Sequence, residues 1–202
     1  MRPGKTGLLV ILAGLGMALA GCGQQPTESA SAQPGGPGLS RQDVERQDAV
    51  DAWADGYCGA VGSLVDGLAT MPAVDPSTPR RAVQTSSDLL GSMIGGLDKA
   101  SHGLQALPPA PVAGGESVRT SELTAFAGIR GRAAAAKQRL DAARASPSID
   151  KDTLGAASGP LDEVSKLNLL SGFDAVPDLA RAATEAPVCR QLTERASTAP
   201  TR

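Results

Sequence analysis

Apolar residues along this chain fall into two regimes. Gly7 to Ala20 is an unbroken apolar run, and from Arg41 onward apolar positions recur every three or four residues. The second pattern is that of helices with one face turned inward. Val50, Trp53, Tyr57, Val61, Leu64 and Leu68 make one stripe, which predicts a helix over Arg41–Thr70, with Ser40 as its cap and Asp43 in its first turn. Met71 to Thr78 reads as a loop, and Thr78-Pro79 opens a second helix with a cap and a first-turn proline. Its stripe is Val83, Leu90, Met93, Ile94, Leu97, Leu104 and Leu107; Gly95-Gly96 weakens its middle, and Pro108-Pro109-Ala110-Pro111 ends it. A third helix is predicted from Ser117 to Ala145, burying Phe126, Ile129, Ala133, Ala136 and Leu140. The fourth stretch is broken. Ser158-Gly159-Pro160 reads as a helix start with Asp162 and Glu163 in its first turn, followed by short pieces over Pro177–Glu185 and Val188–Thr193 and a frayed tail over Ala196–Arg202.

These elements predict an all-α fold, an antiparallel helical bundle of three long helices plus a broken fourth. No strand pattern competes over more than a few residues. Composition agrees with this. Hydrophobic residues are 41% but aromatics only 2%, so Ala, Leu, Gly and Val must fill the interior, which suits closely packed helices better than a β-sandwich.

The N-terminal run has another meaning. Arg2 and Lys5 precede it, and Leu19-Ala20-Gly21-Cys22 follows it. About 14 apolar residues are too few to span a bilayer core of about 30 Å, but they suit the apolar stretch of an export signal. With this order of parts, residues 1–22 resemble the signal peptide and lipobox of bacterial lipoproteins. The resemblance implies a diacylglyceryl group on the Cys22 thiol and cleavage before Cys22 by signal peptidase II. It implies anchoring at the extracytoplasmic face of the cell membrane, which two or three acyl chains make firm. A weaker, compositional resemblance in Ala, Gly, Arg and Pro content is to envelope lipoproteins of high-GC actinobacteria.

The domain organisation that follows is a signal peptide over 1–21, a lipidated disordered tether over 22–40, a helical domain over 41–196 and a disordered tail over 197–202. Gln33-Pro34-Gly35-Gly36-Pro37-Gly38 cannot hold a helix or central strand. Residues 23–40 would reach roughly 25 Å on average and roughly 60 Å at most.

Cys58 and Cys189 remain once Cys22 is assigned to lipid. In an exported protein such a pair reads as a disulfide, linking the middle of the first helix to the C-terminal piece. Two buried free thiols, or one reactive cysteine, are the alternatives. Trp53 and Tyr57 share a helical face beside Cys58, as core around the bridge or as an aromatic anchor for a partner; the continuation of the stripe through Val61 and Leu64 favours core.

Charge excludes some partners. The formal charge is −2, and −4 from Cys22 onward because residues 1–21 hold Arg2 and Lys5 and no acid. That balance leaves no footprint for nucleic acid. Arg130, Arg132, Lys137, Arg139 and Arg144 are the one basic concentration, read as a solvated face in preference to a binding patch. The single histidine, His102, next to Ser101, reads as an exposed surface residue, and no Gly-x-Ser-x-Gly turn presents a serine. Asp51, Asp55, Asp66, Asp162 and Glu163 read as solvated or helix-terminal acids instead of a hydrolytic pair. The reading therefore assigns no catalytic residue, no metal ligand and no cofactor. It leaves a non-enzymatic interaction or accessory module with an envelope protein partner, and as alternative a carrier that holds a lipid or other apolar ligand between helices.

Overall fold

Ser40 begins the first helix with a reciprocal cap. Its hydroxyl accepts the Asp43 amide at 3.2 Å, and the Asp43 carboxylate accepts the Ser40 amide at 3.3 Å. The computed structural model describes residues 40–146 and 148–198, with the backbone alone for 196–198. The signal peptide, the lipobox residues Leu19, Ala20 and Gly21, the lipidation site Cys22 and the tether up to Leu39 lie outside the described residues, as do residues 199–202.

Three long helices follow in order, α1 over Arg41–Ala69, α2 over Pro79–Gln105 and α3 over Gly115–Ala143. Thr78 caps α2 by accepting the Arg81 amide at 3.2 Å, with Pro79 at the first helical position. The structure starts α3 at Gly115, two residues before the expected Ser117, because the Glu116 carboxylate already ties that turn to the Ala110 amide at 2.6 Å. α2 lies between the other two and runs antiparallel to both. Trp53 of α1 meets Pro108, beyond the end of α2, whereas Leu64 lies against Gly96 nearer its middle. Asp98 pairs with Arg130 and Asp88 with Arg144 across α2 and α3. The approach of α1 to α2 is close enough to require glycine at Gly103, where a Cβ would stand 2.8 Å from the Ala60 Cβ.

The fourth stretch begins earlier than the sequence suggests. Asp150 caps α4 (Lys151–Leu154) by accepting the Thr153 amide at 2.6 Å, and a 3₁₀ turn over Gly155–Ala157 leads into α5 (Ser158–Ser165). That turn resets the helical ladder, so Pro160 falls in a first turn, where its missing N–H leaves no bond unmade. α5 runs antiparallel to α3, joined by the Arg132–Glu163 pair at 2.5 Å. Gly172, at φ +86°, then turns the chain against Val118, a conformation that glycine holds without strain. Beyond a 3₁₀ turn over Phe173–Ala175, α6 (Pro177–Glu185) and α7 (Pro187–Thr198) cross to α1. Helix thus continues through Thr198, past the point where the sequence suggests fraying.

The protein is therefore all-helical among the described residues, a bundle whose fourth element is split between two neighbours. Its first half closes on α3 and its second half on α1. The last helix also departs from simple up-and-down order. Asp55 meets Val188, Cys58 meets Cys189 and Asp66 meets Arg195, so α7 runs parallel to α1. The core runs through the centre, with Tyr57, Leu64, Leu90, Leu97, Leu104, Phe126 and Leu140 fully enclosed. Val50 is the first buried residue of α1, and the turns before it carry only exposed and half-buried residues, of which Asp43, Arg46 and Gln47 face Asp178 and Arg181 of α6.

Candidate functional site

Cys58 and Cys189 form a disulfide, with Cα atoms 5.0 Å apart and no exposure of either residue. Trp53 and Tyr57 belong to the core beside it. The Trp53 ring lies 5.5 Å from Tyr57, and its Nε1 donates to the Pro108 carbonyl at 3.1 Å. Tyr57 in turn lies 4.9 Å from Phe173. The three rings join α1, the loop after α2 and the turn before α6.

The acids considered for hydrolysis do not converge. Asp51 pairs with Arg181 at 3.1 Å, Asp55 accepts the Val188 amide at 2.9 Å, Asp66 pairs with Arg195 at 3.0 Å, and Glu163 is held by Arg132. Nor is the basic concentration on α3 merely solvated. Arg130 and Arg144 reach across to Asp98 and Asp88 of α2, Arg132 reaches α5, and Lys137 binds Asp141 at 2.6 Å. His102 is exposed in the last turn of α2. No cluster of side chains suited to a metal ion exists among the described residues.

One constellation escaped the sequence reading. Ser87 donates to Asp141 at 2.5 Å and accepts from Lys137 at 3.2 Å, an arrangement that superficially resembles a serine–lysine nucleophile. Its surroundings oppose that chemistry. Ser87 is fully buried in α2, whose neighbouring amides are bound within the helix, so no donors face an oxyanion. Hydrogen bonds from Lys137 and then Ser87 hold the Asp141 carboxyl below its usual range. The trio ties α2 to α3.

The second unforeseen group is Glu122 on α3, only 4% exposed. Its Oε1 and the Tyr57 hydroxyl are both buried without a hydrogen-bond partner. Burial pushes the Glu122 carboxyl up to about 7, and burial together with Glu122 pushes the Tyr57 phenol well above its usual range. The signal was present in the sequence. Val118, Glu122 and Phe126 extend the buried stripe backward in steps of four.

Two of the surface recesses adjoin the disulfide and Trp53. One, of about 200 Å³, lies between α1 and α7 over Gly59 and Gly62, with Asp66, Gln191 and Arg195 at its edge. The other, of about 320 Å³, is an apolar hollow where Ala49, Ala52 and Trp53 face Leu107, Pro108, Pro109 and Pro111. No helix among the described residues is long and apolar enough to cross a membrane. Comparison with protein-family models, with curated proteins and with solved structures gives no match in any of the three.

Proposed function

We propose that this chain is a membrane-anchored extracytoplasmic lipoprotein whose helical domain is a non-enzymatic interaction or accessory module. The observation that carries this reading is Leu19-Ala20-Gly21-Cys22 directly after a short basic segment and an apolar run. A buried, bridged cysteine pair supports an oxidising compartment. Asp51, Asp55, Asp66 and Glu163, the acids that could suggest a hydrolase, are engaged in ties between helices. The apolar hollow beside Trp53 opens to the surface, which suits a partner's apolar side chains. It is also the feature that favours the second reading, a carrier of an apolar ligand.

The test of the anchor is Cys22→Ala. The protein should move from the membrane fraction to the soluble one, and intact mass of the unaltered protein should show acyl groups on a chain that begins at Cys22. Retention of the variant in the membrane refutes the anchor. Crosslinking in intact cells from positions around Leu107 and Pro109 then separates the two roles. A captured protein supports the module, and a captured lipid supports the carrier.

A further inference from the structure

We propose that Glu122 is a proton-operated latch, closed when its carboxyl is neutral, that releases the segment from Lys166 to Val176 when the carboxyl ionises. The argument begins with solvation. A carboxylate in an apolar interior needs a cation or several donors to replace the water it lost. The Glu122 Oε1 has neither, being buried without a hydrogen-bond partner. A neutral acid occupies the same space at far lower cost, and the Tyr57 hydroxyl, likewise buried without a partner, supplies no donor to the carboxylate.

The surrounding charges do not alter this balance. On α3 itself, Arg119 is bound to Glu116 and to the Leu107 carbonyl. On α1, Asp51 is paired with Arg181 of α6. The buried residues of α2 include no charged side chain. In the segment after α5, Asp174 is exposed and Asp178 is only half-buried. The Tyr57 phenol is the titratable group coupled to Glu122, and burial alone raises the Glu122 carboxyl.

The packing indicates what would move. Val118, one turn before Glu122, packs against Gly172, and Phe173 lies on the Tyr57 ring. Both ends of this stretch are secured, α5 through Glu163 to Arg132 and α6 through Arg181 to Asp51 of α1, with α7 held beyond it by the disulfide. An ionised Glu122 therefore gains water by lifting the intervening segment, while α7 stays in place. This device goes beyond the proposed anchoring and does not depend on it.

Hydrogen exchange of the full-length chain from pH 5 to 8, corrected for intrinsic amide rates, tests the latch. Protection over 166–176 should fall as pH rises toward 7 and level off above it, by roughly 70-fold between pH 5 and 8 for a carboxyl raised from 4.5 to about 7. Protection over 188–195 should not follow, and Glu122→Gln should abolish the pH dependence. A profile unchanged by Glu122→Gln, or an equal loss across α1, α2 and α3, overturns the latch. If the variant does not fold, the ¹³C carboxyl titration of Glu122 in the unaltered chain decides. A midpoint near 7 supports the latch, and one below 5 overturns it.

Discussion

The Asp55 carboxylate on α1 accepts the backbone amide of Val188 at 2.9 Å, so one helix caps another. α7 begins at Pro187, and the residue before it, Ala186, has no side chain able to serve its first amides. Asp55 supplies that acceptor from 133 residues away and places negative charge at a helix N-terminus. Asp55→Ala should lower stability by about 1 kcal/mol, and Asp55→Asn by less, because the amide oxygen still accepts. Urea unfolding reads this as a lower midpoint at constant slope. An unchanged midpoint in Asp55→Ala would show that the cap contributes nothing.

The disulfide lies one residue beyond that cap. Cys58 and Cys189 are 131 positions apart, and closing such a loop contributes about 5 kcal/mol on chain entropy, with 2–5 kcal/mol the typical loss when a native bridge is removed. The double variant Cys58→Ala, Cys189→Ala should unfold at a markedly lower temperature. Both sulfurs are enclosed, so reductant without denaturant should leave the bridge intact, and thiol titration checks this. Rapid appearance of two thiols under native conditions would contradict the enclosure.

The long helices were legible because their signals are local. Ser40 with Asp43, Thr78 with Pro79, and the stripe from Val50 to Leu68 each lie within one helix. The Cys58–Cys189 pairing was legible by elimination, once Cys22 was assigned elsewhere. What could not be read depends on partners distant in sequence. Asp51, Asp55 and Asp66 look alike along α1, yet they serve Arg181, the Val188 amide and Arg195. Nothing near them in the sequence signals that α6 and α7 will lie alongside. Glu122 was passed over for the opposite reason, since its spacing fits the buried stripe while its polarity argues for solvent.

That buried acid also sets the pH dependence of global stability. Glu122 binds its proton more tightly in the folded chain than in the unfolded one, about 7 against 4.5. Its contribution is therefore fully present below pH 4.5, is lost as pH rises through 7 and stays lost above that. The loss amounts to about 3 kcal/mol. Glu122→Gln should make the chain more stable than the parent at pH 8, and unfolding midpoints at pH 5, 6, 7 and 8 should lie nearly level for the variant. A parent whose stability rises across that interval would refute the buried neutral acid.

Two glycines of α2 should respond to alanine with opposite sign. At Gly95 a Cβ meets nothing within 4 Å, so Gly95→Ala adds helix propensity without strain and should raise stability by about 0.5–1 kcal/mol. At Gly103 the same methyl would lie 2.8 Å from the Ala60 Cβ and 3.2 Å from its Cα. Backbone cannot yield as a flexible side chain would, so Gly103→Ala must push α1 and α2 apart, at a cost of about 1–3 kcal/mol. The Trp53 indole bond to Pro108 lies further along the same seam, so emission from this single tryptophan reports the separation. Gly103→Ala should shift that emission and lower the unfolding temperature, whereas Gly95→Ala should leave the emission unchanged and raise it. Equal effects from the two substitutions would mean that the seam between α1 and α2 is looser than the closeness of Gly103 to Ala60 requires.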